Sequence, residues 1–249
     1  MANCLRYAKT PDPEAALGQD VYITNDERTL TIQDLYPKST FHWLCLPRLP
    51  LTVTIDSKEV SVPEKTLSNL EALAKSKFAV PVLKCLQEAS DKVKDMMRIE
   101  MLELHKVTWD IQCGFHAAES MQHVHLHIIS NDLASERLKN KKHYNSFAPK
   151  HGFFLHLDSV LKWAEEGTLL PSSPFAATRH LPTKTQAEQL LKDPLVSFRN
   201  GKTYQNVPKL KEHLQLAFES ELRSRVKRKN MEEGKQEDTS KKLKTSHEL

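Results

Sequence analysis

The period of apolar and polar alternation changes several times along this chain. In residues 20–34 apolar side chains recur at every second position (Val21, Ile23, then Leu30, Ile32) around a polar turn at Asn25, Asp26 and Glu27, which predicts a β-hairpin. Residues 41–46 predict a third strand, stopped by Pro47. It follows a turn at residues 36–39, where Pro37 fixes its own φ and restrains Tyr36. Residues 52–64 read as polar and irregular. Over residues 67–104 apolar positions take helical spacing, and Pro81 divides that stretch into two helices. Residues 107–115 and 122–130 predict two more strands. The order β-β-β-α-α-β-β predicts an antiparallel α+β domain over residues 18–150, preceded by an N-terminal helical segment at 1–17.

Beyond residue 150 the pattern predicts a helix at 157–166 and a loop at 167–185 carrying Pro171, Pro174 and Pro182. A helix at 185–192 and a short hairpin at 197–205 follow. A long helix is expected over 208–229, since proline suits a first helical turn. Residues 230–249 are polar and charged and are expected to be disordered.

Composition narrows the class. The 249 residues, 39 % of them hydrophobic, suffice for one large or two small cores. No run of 18 apolar residues occurs, so no membrane-spanning helix is expected, and the first 20 residues lack the apolar stretch of a secretory leader. Cys4, Cys45, Cys85 and Cys113 are scattered and read as reduced thiols of an intracellular protein. No GxGxxG or P-loop pattern occurs. The net charge is only +4, but the last 27 residues hold nine Lys/Arg against five Asp/Glu.

The chemistry concentrates in His123-Val124-His125-Leu126-His127. On a strand of period two, all three imidazoles share one face and the apolar residues share the other. Such a cluster can ligate a metal or work on a phosphate. A metal site needs further ligands, and the sequence supplies none beside the triad. His116 and Ser120 just before the triad, and His42 on the strand after Pro37-Lys38, favour phosphate. One neutral imidazole would attack phosphorus, and the other donors would neutralise charge on its oxygens.

The triad with Ile128-Ile129 resembles the pattern of the histidine-triad (HIT) family, and the segment from Asp34 through His42 to Pro47 looks like that family's nucleoside-binding strand. Gly114-Phe115-His116, Ser120-Met121 and Leu138-Lys139-Asn140-Lys141-Lys142-His143-Tyr144-Asn145-Ser146-Phe147 are similar to the family's aprataxin branch, in its short fungal-type form without an N-terminal phosphopeptide-binding domain. The resemblance implies an α+β fold: a HIT-like antiparallel sheet with helices, plus a small C-terminal zinc-finger-like module over 151–229. It also implies hydrolysis of the pyrophosphate that joins AMP to a DNA 5′-phosphate after abortive ligation, in strand-break repair. By position, His125 would be the nucleophile, and His127 the donor to the phosphoryl oxygens. His116 would assist the leaving group, with His123 and His42 orienting the other rings. Asp34, Leu35, His42, Ser120 and Met121 would bind the nucleotide.

Expected DNA contacts are Leu5 and Tyr7 as a wedge, and Lys38, Lys139, Lys141, Lys142 and His143 on the backbone. Arg199, Lys202, Lys209 and Lys211 would add contacts from the C-terminal module. The family's finger carries CxxC, then a helix with His and a fourth ligand. Here those positions hold Ser197, Asn200, His213 and Ala217, leaving one ligand, so no structural zinc and no other cofactor is expected. The module would instead pack on Phe198, Tyr204, Leu210, Leu214 and Phe218. The expected partner is 5′-adenylated DNA, with AMP as product, acted on by a monomer away from membranes. Basic clusters at 223–229 and 241–244 suggest a bipartite nuclear import signal. Two other readings stay open: a general HIT hydrolase of small adenylates, and a nucleic-acid-binding protein without activity.

Overall fold

The computed structural model describes residues 4–119, 121–149, 151–169 and 180–245, with backbone alone for 233–245. A six-stranded antiparallel sheet forms its centre, in the order β1 (Tyr22–Asn25), β2 (Thr29–Gln33), β3 (His42–Pro47), β7 (Leu126–Ser130), β6 (Ile111–His116), β8 (Phe154–His156). Strands β4 (Leu51–Ile55) and β5 (Lys58–Val62) make a separate hairpin where the sequence reads as irregular. Its alternation is clear in the structure, with Leu51 and Val53 buried and Thr52 and Thr54 exposed. The turn residues Asp56 and Ser57 adopt positive φ without the glycine that usually marks such a turn, which hides the hairpin from a sequence reading.

Helices α1 (Cys4–Ala8) and α2 (Pro13–Ala16) lie at the N-terminus, and α3 (Leu70–Ala74) precedes the long α4 (Ala79–His105). Pro81 sits in the first turn of α4, where its missing N–H costs nothing, so it opens one helix rather than dividing two. Val82, Leu86, Ala89, Val93, Met97 and Met101 form the buried stripe of α4. They pack against Trp43, Cys45, Phe115, Leu126 and Ile128 of the sheet. Period two then sends His42, His116 and His127 to the opposite face. The face of the sheet that gathers these histidines is thus fixed by which residues α4 buries.

Helix α5 (Lys141–Asn145) is capped by Asn140, whose side chain accepts the His143 N–H. α6 (Leu157–Glu165) packs on α4, and β8 extends the sheet beyond β6, so residues 154–165 pack with the central sheet and its long helix. Gly114 permits that edge. A Cβ there would stand 2.5 Å from the Leu155 carbonyl and 2.6 Å from the Phe154 ring. The C-terminal module comprises α7 (Lys184–Leu190), the hairpin of β9 (Leu195–Val196) and β10 (Thr203–Tyr204), and α8 (Val207–Thr245). Helix α8 runs through 230–245, where disorder is expected from composition. That stretch has no proline and is rich in Glu, Lys and Gln, all good helix formers. Leu195, Leu210 and Leu214 share a core with Ile129, Tyr144 and Phe154, while Phe218 packs on Trp109. No described helix is long and apolar enough to cross a membrane.

Candidate active site

His125 and His127 line a cleft of about 360 Å³ together with Asp34, Tyr36, Lys38, His116, Met121, Lys142, His143 and Phe147. Backbone partners decide which nitrogen of each ring carries the proton. The Lys38 N–H lies 3.2 Å from His42 Nδ1, which must accept. His42 therefore carries its proton on Nε2, 2.9 Å from His127 Nδ1. His127 Nδ1 accepts in turn, so the His127 proton resides on Nε2, a buried atom with no partner among the described residues. His125 has the opposite tautomer. Its Nδ1–H donates to the His123 carbonyl at 2.8 Å, leaving the lone pair on Nε2. Two neighbouring rings, 5.0 Å apart between centroids, thus present one nucleophilic lone pair and one N–H donor.

All these imidazoles are held neutral. Burial pushes His42 down to about 4 and His125 below the ordinary histidine range. His116 and His127 fall well below it, again chiefly through burial, reinforced by neighbouring histidines. Phe147 supplies much of the apolar cover, with ring centroids 5.0 Å from His42, 4.6 Å from His116 and 5.1 Å from His127. The His116 ring lies tilted against His127 at 4.3 Å between centroids, and its Nε2 is buried with no partner among the described residues.

The shared face expected for all three triad rings holds for two of them. β7 begins at Leu126, after the first two histidines, and His123 has φ of 89°. The backbone of residues 123 and 124 pairs with the carbonyls of Ser68 and Leu67, and the His123 ring donates through Nε2 to the Pro47 carbonyl at 2.7 Å. His123 supports the turn that presents His125 and does not line the cleft.

Asp34 accepts the Tyr36 N–H at 2.7 Å, and its other oxygen lies 3.6 Å from His42 Nε2. Donor atoms of Asp34, His42 and His127 lie within 4.8 Å of one another, a spacing a metal could bridge. The direct His42–His127 hydrogen bond already uses the facing nitrogens, however, and makes those two rings a proton-ordering pair. Leu35 is 43 % exposed and does not line the cleft, whereas its neighbour Tyr36 does. Met121 lines the cleft and contacts Cys4, and Ser120 lies outside the described residues.

Lys38 departs from the open DNA-facing position expected of it. It is buried at the cleft, its ammonium donates to the Tyr36 carbonyl, and burial lowers its pKa. Lys142 and His143 also reach the cleft, while Lys139 and Lys141 stand exposed beside it. Leu5 and Tyr7 are half-buried on α1, with Tyr7 packed over Leu30, Ile32 and Leu44, so α1 caps this end of the sheet. Lys202 and Lys209 are exposed, and Lys211 is half-buried. Arg199 is not free for phosphate: it pairs with Glu221 at 2.7 Å and donates to the Asn131 carbonyl. The sequence reading missed Phe147 as a wall of the site and Gln112, whose amide holds the Phe147 carbonyl at 3.2 Å. An amide among the apolar residues of a buried strand is the signal that points to Gln112.

A C2HE / C2H2 / C2HC zinc-binding finger profile matches residues 150–220, and a profile of the scavenger mRNA decapping enzyme C-terminal binding region matches residues 59–143. The aprataxin-like protein of Saccharomyces cerevisiae is 32% identical over 168 residues, covering 62% of this chain and 71% of that protein. The chain belongs to the aprataxin family. Aprataxin of Danio rerio is 34% identical over 192 residues, which is 77% of this chain and 48% of that protein, so the chain spans about half the length of such longer relatives. The crystal structure of the aprataxin ortholog Hnt3 in complex with DNA superposes with a TM-score of 0.61 at 28% identity, covering 90% of this chain and 96% of that one. Hnt3 in complex with DNA and guanosine superposes with a TM-score of 0.62 at 26% identity, covering 90% and 98%.

The zinc of aprataxin-family fingers does not fit the residues present here. Ser197 Oγ and His213 Nε2 are hydrogen-bonded directly at 3.0 Å, and the Tyr204 ring stacks on His213 at 5.0 Å. Asn200 donates to the Tyr204 hydroxyl. Glu219 is engaged by Gln215, and Glu221 by Arg199 and Arg225. A hydroxyl and an imidazole bonded to each other, and an amide bonded to a tyrosine hydroxyl, are poor zinc donors. Hydrogen bonds join this module where its relatives use a metal.

Proposed function

We propose that this protein is a DNA 5′-adenylate hydrolase that works through a covalent nucleotidyl-histidine, without a metal. The opposed tautomers of His125 and His127 carry this reading. The lone pair of His125 Nε2 attacks the adenylate phosphorus, and the bond from phosphorus to the bridging oxygen of the DNA 5′-phosphate breaks. The leaving group departs as a phosphate monoester, already a stable anion, and needs little protonation. His127 Nε2–H donates to the oxygens that gain charge, the type of contact that contributes most in a dry site. Water then attacks phosphorus, and the P–N bond breaks. His125 regains its lone pair, AMP leaves, and the water proton passes to the unpartnered Nε2 of His116 and on to solvent.

The complexes of Hnt3 with DNA, and with DNA and guanosine, support DNA as the partner in this reading. So does the row of exposed cations at Lys139, Lys141 and Lys142, which suits a backbone strand. The two basic clusters of the C-terminal helix fit action in the nucleus. Incubation with 5′-adenylated nicked DNA in excess EDTA tests the reading. Release of AMP and a 5′-phosphate end is expected, and is lost in His125→Ala. Loss of turnover in chelator, or faster turnover of free adenylates than of adenylated DNA, would contradict it.

A further inference from the structure

Helix α5 lies between the C-terminal module and the catalytic histidines, and three of its neighbouring side chains divide the work. Tyr144 faces the module: its hydroxyl donates to the Val196 carbonyl at 2.9 Å and accepts the Phe198 N–H at 3.0 Å. Both partners flank Ser197, the residue bonded to His213. Asn145 also faces the module, donating to the Asp193 carbonyl at 2.9 Å and the Leu191 carbonyl at 3.3 Å. Phe147, two residues on, faces the site and touches the rings of His42, His116 and His127. Tyr144 and Asn145 are completely buried. From the sheet, the Gln112 amide reaches this segment by hydrogen bond to the Phe147 carbonyl.

We propose that the C-terminal module is part of the catalytic apparatus: by docking on Tyr144 and Asn145 it holds Phe147 against the three imidazoles, keeping them dry and in register. Tyr144, Asn145 and Phe147 are positioning residues. The module thereby sets the reactivity of the histidines as well as holding DNA. The physical argument is one of tethering. A five-residue helix has no stability of its own and keeps its place only through tertiary contacts. If the module's grip loosens, Phe147 withdraws and water reaches rings whose neutrality depends on its exclusion. The inference rests on the hydrolase reading for its substrate, but its physical content is a state of the imidazoles.

Tyr144→Phe tests this, since it removes one oxygen and keeps the ring. Two readouts are needed. The first is turnover of a small adenylate, adenosine 5′-phosphoramidate, which is too short to span the exposed cations. kcat should fall about tenfold to a hundredfold with KM little changed. The second needs no turnover: 15N-detected titration of the imidazoles by NMR in the intact chain. The cleft histidines should titrate closer to the ordinary histidine range in the variant than in the parent. The charged and titratable groups that face them, Asp34, Lys38, Lys142 and His143, are the same in both proteins and cannot cause the difference. Phe147→Leu, which keeps an apolar side chain but loses the ring, should move both readouts the same way. Parental titration and kcat in a folded Tyr144→Phe protein would overturn the inference, even if DNA affinity fell. Failure of the parent to act on adenylated DNA would instead overturn the hydrolase reading and leave the titration to decide this one.

Discussion

His42 Nε2 and His127 Nδ1 are 2.9 Å apart, and the proton between them belongs to His42 because the Lys38 N–H occupies the other side of that ring. A backbone amide at a turn thus selects the tautomer of a residue on the neighbouring strand β7, through one intervening imidazole. His127→Ala removes the donor itself and should lower kcat by about 10²–10³-fold. His42→Ala removes only the ordering and should cost less, about tenfold to a hundredfold. His42→Gln keeps a donor near the Nε2 position and should recover part of that loss. Steady-state kinetics on adenylated DNA measure all three, and equal losses in His42→Ala and His42→Gln would argue against the relay.

The pH dependence follows from burial. His125 attacks only when neutral, and its pKa lies below the ordinary value of 6.5, so kcat should be flat from pH 7 down past 6.5 and fall only in more acid solution. Stability has the same sign. Below 6.5 the unfolded chain takes up protons that the buried His42, held at about 4, refuses. The fold therefore keeps this contribution above 6.5 and loses it as pH falls towards 4. Denaturant melts across that window should show the decline, and His42→Gln should reduce it.

Glu119 behaves in the opposite sense. Its carboxyl accepts the Leu70 N–H at 2.9 Å, its second oxygen is buried with no partner among the described residues, and burial raises its pKa from 4.5 to about 8. Between those values the folded protein holds a proton that the unfolded chain releases. Stability from this group is complete below 4.5 and is lost as pH rises to 8. Glu119→Gln should flatten the slope of stability against pH in that window, as read by urea titration, and should stabilise the protein at pH 9. An unchanged slope would show that Glu119 ionises freely.

The finger should hold without zinc. Purified protein is expected to contain well under one zinc per chain, and a chelator should leave its melting temperature unchanged. Ser197→Ala breaks the bond to His213 at a buried position and should destabilise the fold by about 1–3 kcal/mol. One bound zinc per chain, or a melting temperature lowered by chelator, would contradict the hydrogen-bonded arrangement.

Much of this was legible in the residues. Period-two alternation located β1, β2, β3 and β7, and the resemblance to the family's finger singled out Ser197 and His213, which the structure joins by a hydrogen bond. What escaped has physical reasons. Strand periodicity cannot register that His123 lies before the strand, in a left-handed backbone conformation set by pairing with residues 67 and 68. β8 is three residues long, too short for any pattern, and is held by the space above Gly114. Lys38 reads as a surface cation, and only the packing of the turn around His42 puts it inside the cleft. Arg199 likewise reads as a DNA contact because its partners, Glu221 and the Asn131 carbonyl, are 22 and 68 residues away in sequence.

The central claim is a transient P–N bond at His125. It is tested most directly by quenching a single turnover of 32P-adenylated DNA in neutral denaturant and mapping the label by peptide mass spectrometry. AMP attached to His125 Nε2, absent from His125→Ala and labile in acid, is the predicted result. Continued turnover of the parent with no labelled histidine, or with label on another residue, would contradict it.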